Sequence, residues 1–121
     1  MQLLRILVVS MSSAFLHAVK QALQCKPRVA EVWEAQTGQI AVAQAKACRP
    51  DLVLLDERLR DMSLLEIVSK LRTQLLSSLI VMMTMYEVDS YQDALSEIGV
   101  DQVIDKTRFT EEIETLLATM P

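Results

Sequence analysis

The sequence predicts an α/β domain in which a parallel sheet is covered by helices on both faces. Three observations carry that expectation. Apolar runs of strand length alternate five times with segments of helical periodicity along 121 residues. The clearest runs are apolar without interruption, as strands buried on both sides should be. No repeat, low-complexity tract or linker interrupts the pattern, so residues 1–121 read as one unit.

The first strand is expected at Leu3–Val9. The Ser12 and Ser13 pair then reads as a helix start, and Phe15, Ala18, Val19, Ala22 and Leu23 recur at helical spacing to form one apolar stripe. Pro27 closes that helix. A second strand is expected at Val29–Ala35, followed by a helix with Thr37 as N-cap and Ile40, Ala43 and Ala47 facing inward, stopped at Arg49 and Pro50. The third strand is Leu52–Leu55. Its helix starts at a capping box, Ser63 with Glu66, and buries Leu64, Ile67, Val68, Leu71 and Leu75. Leu79–Met83 is the fourth strand. The next helix carries Tyr91, Ala94, Leu95 and Ile98, and Gly99 supplies the left-handed residue that ends it. A weaker fifth strand, Val100–Ile104, precedes a last helix with Phe109, Ile113, Leu116, Leu117 and Met120 inward. Val29–Ala35 and Val100–Ile104 are the expected outer strands.

Composition removes several classes of function. Half of the residues, 51%, are hydrophobic, enough for a real core in a chain of this size. The net charge is −4 and the Lys and Arg residues are scattered, so direct nucleic-acid binding is not expected. No apolar run approaches the roughly 20 residues of a membrane span, and no signal peptide is legible at the N-terminus, so the expected location is cytoplasmic. Cys25 and Cys48 are far apart and His17 is the only histidine, which leaves neither a zinc motif nor a dithiol pair. His17 sits one step off its helical stripe and reads as a surface imidazole. With Gly38 and Gly99 as the only glycines, no P-loop or dinucleotide fingerprint can be written. No nucleophile is paired with a base, so an independent enzyme is not expected.

In an open parallel sheet, ligands bind beyond the carboxyl ends of the strands. Those ends carry Ser10 and Met11, Asp56, Thr84 and Lys106. Singly, Asp56 is a loop-initiating aspartate, Thr84 a β-branched strand residue and Lys106 a solvated charge. Together they bring a carboxylate, a hydroxyl and an ammonium to one edge. That set suits a phosphoryl group: the carboxylate can form an acyl phosphate while the other two hold its oxygens.

RILVV at Arg5–Val9, EAQTGQIAVAQAKACRPDLVLLD ending at Asp56, IVMMT ending at Thr84 and GVDQVIDK ending at Lys106 resemble the receiver domain of two-component response regulators. The resemblance spans essentially the whole chain. It implies a flavodoxin-like (βα)5 fold with strand order 2-1-3-4-5. It also implies Asp56 as phosphoacceptor, Thr84 as the hydroxyl that moves toward the phosphoryl group, and Lys106 as its cationic partner. The implied partners are a histidine kinase or phosphotransfer protein and a downstream target, reached through the edge formed by the fourth helix, fifth strand and fifth helix. The same edge, with Tyr91, is a candidate for pairing two copies.

The departures from the family pattern are specific. The acidic pair that holds a divalent metal is replaced by Ser10 and Met11, leaving Asp56 as the one metal ligand of a weak or absent Mg2+ site. Met85 replaces the short residue after the hydroxyl, which would crowd the pocket, although Met82, Met83 and Met85 also read as core filler. Arg60 and Leu64 replace a proline and a glycine, and Val103 replaces the aromatic switch residue. Glu57 and Glu87 are near in sequence but read as solvated acids. Charge counting sets Asp56 against Lys106 at rest, a balance that gives the site little need of a metal. Phosphorylation is then expected to be slow to form and slow to be lost, for want of a Lewis acid. The alternative is a pseudo-receiver, an interaction module that works without phosphate.

Overall fold

The computed structural model describes residues 2–85 and 92–121. Among the described residues five strands and five helices alternate: β1 Leu4–Val9, α1 Ser13–Gln24, β2 Val29–Ala35, α2 Gly38–Cys48, β3 Leu52–Asp56, α3 Leu64–Gln74, β4 Leu79–Thr84, α4 Gln92–Glu97, β5 Gln102–Asp105 and α5 Phe109–Thr119. A 3-10 turn, Lys106–Arg108, joins β5 to α5. Every pairing is parallel and the order is β2-β1-β3-β4-β5, so the two strands with the weakest apolar runs do lie at the edges. Among the described residues no helix is long and apolar enough to cross a membrane.

The period of a strand sorts its side chains into two cores. Leu52 and Leu54 of β3 join Ile6, Val8, Val81 and Met83 on the face covered by α1 and α5. Val53 and Leu55 join Leu7, Val9, Ile80 and Met82 on the face covered by α2, α3 and α4. Central strands therefore read as unbroken apolar runs because both faces are dry.

Two helices present a different face from the one their spacing predicts. In α1 the buried residues are Leu16, Val19 and Leu23, whereas Ala18 and Ala22 are exposed and Phe15 is half-buried. In α2 they are Gly38, Ala41 and Ala45, whereas Ala43 and Ala47 are exposed and Ile40 is 46% exposed. Alanine adds little apolar area and favours helix on any face, so counting it as apolar misplaces the stripe. In α3 and α5, where leucine and isoleucine dominate, the expected faces are observed: Ile67, Val68 and Leu71, and Ile113, Leu116 and Leu117. In α4, Leu95 is buried, Ile98 half-buried and Ala94 exposed; Tyr91 lies outside the described residues.

Helix ends follow their capping chemistry. Ser12, Thr37 and Ser63 each accept the backbone N–H three residues on, at 3.1 Å. Only the Ser63 half of the capping box forms, since the Glu66 carboxylate instead lies 4.0 Å from Lys70. Asp61 adds a second cap to α2 from outside, accepting the N–H groups of Gly38 and Gln39 at 2.8 and 2.9 Å. Gly99 has φ +107° and ends the α4 segment as expected. At the amino ends of the strands, the Arg72 guanidinium donates to the carbonyls of Ser78 and Gly99 and pairs with Asp101, whose carboxylate also accepts the Ile80 N–H. Arg28 donates to the carbonyls of Leu117, Met120 and Pro121 and so satisfies the end of α5.

Candidate functional site

Parallel register brings the carboxyl ends of β1, β3, β4 and β5 level with one another. Val9 pairs with Leu55, so the next residue of each chain segment, Ser10 and Asp56, stand side by side. Asp56 pairs with Met83 and Thr84 with Asp105, which places Thr84 and Lys106 on the same edge.

Asp56 is the centre of the arrangement. Its Oδ2 accepts the Ser10 hydroxyl at 2.7 Å and the Lys106 ammonium at 2.9 Å. Its Oδ1 accepts the backbone N–H of Glu57 at 2.9 Å. The Asp56 and Lys106 side chains are 12% and 20% exposed, so this pair is shielded from the screening that weakens surface pairs. Ser10 is fully buried and also accepts the Ser12 N–H at 3.2 Å, which ties Asp56 to the start of α1.

Lys106 is aimed by its surroundings. Asp105 accepts the N–H and hydroxyl of Thr107, at 2.9 and 2.6 Å, and these donors hold its carboxyl below the usual carboxylate range. The turn so formed directs Lys106 back over the sheet edge. There the ammonium lies 4.3 Å from the centre of the Phe15 ring, which stands edge-on to Phe109 at 6.4 Å. The ring face attracts the cation without competing for its hydrogens, leaving them for oxygen ligands.

Thr84 is fully buried, and its hydroxyl donates to Glu57 Oε2 at 2.7 Å. Glu57 is half-buried, not the solvated loop acid its sequence context predicts. Its one legible signal is its place directly after a strand that ends in Asp56. With Glu57 included, the resting site sets two carboxylates against one ammonium, so the balance of Asp56 against Lys106 describes the pair and not the whole site.

Met82 and Met83 are buried in the two cores, but Met85 is 60% exposed and Met11 is exposed as well. Met85 is therefore not core filler. Arg60 is exposed, Leu64 is half-buried against one core and Val103 is buried within it. Glu87 lies outside the described residues. Chemically, the arrangement presents a carboxylate whose Oδ2 is held by two donors, while Oδ1 carries a backbone N–H and keeps a lone pair for nucleophilic attack.

The family model of the response regulator receiver domain matches residues 6–118. Among curated proteins, the nitrate/nitrite response regulator protein NarL of Escherichia coli is 40% identical over 63 residues, 52% of this chain and 29% of that protein. The response regulator protein VraR of Staphylococcus aureus is 27% identical over 95 residues, 78% of this chain and 46% of that protein. The chain thus spans less than half the length of these curated relatives. Among solved structures, a CheY-like response regulator receiver domain protein of Methanospirillum hungatei superposes with TM-score 0.80 at 27% identity, covering 97% of this chain and 95% of that one. The chemotaxis protein CheY4 of Vibrio cholerae shares the fold, with TM-score 0.85 at 24% identity, covering 98% and 99%.

Proposed function

The chain belongs to the response regulator receiver domain family, and from that premise we propose that it takes a phosphoryl group on Asp56 and relays the change to a downstream protein. The observation that carries this reading is the double hold on Asp56 Oδ2, by Ser10 at 2.7 Å and Lys106 at 2.9 Å. With Oδ2 held by these two donors, Oδ1 is the oxygen left to act as nucleophile. The donor is a phosphohistidine of a kinase or phosphotransfer protein, and the only reaction the domain promotes is its own phosphorylation. Oδ1 forms the new bond to phosphorus, while Lys106 and the Thr84 hydroxyl hold the transferred oxygens.

The divalent cation typical of the family does not fit the residues present. Such ions take several oxygen ligands, largely carboxylates. Here the two positions after β1 offer a hydroxyl committed to Asp56 and a thioether, and Asp56 Oδ2 already has two donors. Among the described residues no group of three or more Asp, Glu, His or Cys side chains converges. Transfer is accordingly slow and indifferent to magnesium.

The test is labelling with acetyl phosphate, followed by intact mass. The wild-type protein should gain one phosphoryl group at a rate unchanged by magnesium or chelator, and Asp56→Asn should gain none. Ser10→Asp with Met11→Asp should restore magnesium dependence and accelerate labelling by at least tenfold. If the wild-type protein stays unlabelled while that double variant labels, the domain works as a pseudo-receiver. The commitment of the Thr84 hydroxyl to Glu57 at rest is the observation that favours this second reading.

A further inference from the structure

A hydroxyl has one hydrogen to give, and Thr84 gives its hydrogen to Glu57. From that contact we infer that Glu57 is a positioning residue that competes with the phosphoryl group for Thr84, so that loading of Asp56 and release of Glu57 are one event. The inference rests on Asp56 being the phosphoacceptor.

Three features support it. The bond is short, at 2.7 Å, and its acceptor is a carboxylate, the stronger class of hydrogen bond. Thr84 is fully buried at the end of β4, where a β-branched side chain has few rotamers, so the hydroxyl has a small set of places to point. Finally, Glu57 touches both halves of the chemistry: its backbone N–H donates to Asp56 Oδ1 and its side chain accepts from Thr84. A change at Asp56 is therefore felt one residue away by the group that restrains Thr84.

Transfer weakens this restraint in two ways. Asp56 Oδ1 bonds to phosphorus as the bond from phosphorus to the acetate oxygen of acetyl phosphate breaks; acetate leaves with that electron pair, and no proton is required. The new group carries a charge near −2 and three acceptor oxygens. It offers Thr84 a competing acceptor, and it repels the Glu57 carboxylate. Until Glu57 lets go, the form able to hold the phosphoryl group is a minor population, and the observed rate is reduced by that fraction.

The experiment uses the full chain and four variants: Glu57→Ala, Glu57→Gln, Thr84→Val, and Glu57→Ala with Thr84→Val. Acetyl phosphate labelling is read by intact mass, and the Thr84 side-chain rotamer by NMR couplings. Glu57→Ala should label about tenfold faster than wild type, and Glu57→Gln should fall between, since the amide keeps an acceptor but not the charge. In the Thr84→Val background, Glu57→Ala should change the rate less than about twofold. The Thr84 side-chain coupling should shift away from its wild-type value in Glu57→Ala.

Equal labelling of Glu57→Ala and wild type overturns the competition and leaves Asp56 as phosphoacceptor. An equal gain in both Thr84 backgrounds also overturns it, because the effect is then one of charge alone. If neither wild type nor any variant labels, the phosphoacceptor reading fails and the competition fails with it.

Discussion

Ser10, directly after β1, supplies a hydrogen for Asp56 Oδ2. Substitution by Ala removes one of three donors from a nearly buried carboxylate. The expected loss of stability is about 1.5–3 kcal/mol, the scale of a hydrogen bond to a charged group, measurable by urea unfolding. Labelling by acetyl phosphate should slow in the same variant, whereas a Ser10 that only fills space would leave the rate unchanged. Asp56, Thr84 and Lys106 were legible in the sequence because strand ends mark the edge where they meet. The hydrogen-bonding roles of Ser10 and Glu57 were not, since the direction of a side chain just beyond a strand depends on loop dihedrals that periodicity does not encode. Met85 shows the same limit in reverse: its apolar context predicts burial, and it is exposed.

At the scale of elements, helix ends carry signals that the alanine-rich faces of α1 and α2 lack. Ser12, Thr37 and Ser63 were readable as caps because their partners lie three residues away. Asp61 was not, because it reaches α2 from the loop after β3, more than 20 residues on in the chain. The N–H groups of Gly38 and Gln39 hold its carboxyl below the ordinary value of 3.8. A carboxyl lowered in the folded state contributes stability that is present above the unfolded pKa and lost as pH falls through the folded one. Wild type should therefore melt above Asp61→Asn by a constant margin from about pH 5 to about pH 8, and that margin should shrink as pH falls below 3.8. At the other end of a helix, Gly99 has φ +107°, and an added Cβ would lie 3.2 Å from Val68 Cγ1. Gly99→Ala should cost roughly 1 kcal/mol or more by thermal unfolding, without altering labelling.

The whole molecule is one sheet serving two cores, and β3 belongs to both. Leu54→Ala opens a void on the α1 and α5 side, and Leu55→Ala opens one on the side of α2, α3 and α4. Each should cost about 2–5 kcal/mol, a large share of the 5–15 kcal/mol typical of a domain. Because the cores share their strands, each variant should still unfold in a single urea transition. Which strands lie at the edges was legible from their weak apolar runs, and the full strand order from the resemblance carried by the four motifs. The stiffness of β3 has a mechanical consequence. Asp56 ends a strand whose four preceding residues, Leu52 to Leu55, are all fully buried and flanked by β1 and β4. Asp56 is thus anchored to a strand buried on both faces, and a push applied there meets no slack in its own foundation. Displacement has to emerge in the neighbouring loops, which makes Asp56 the fulcrum and the residues around it the lever.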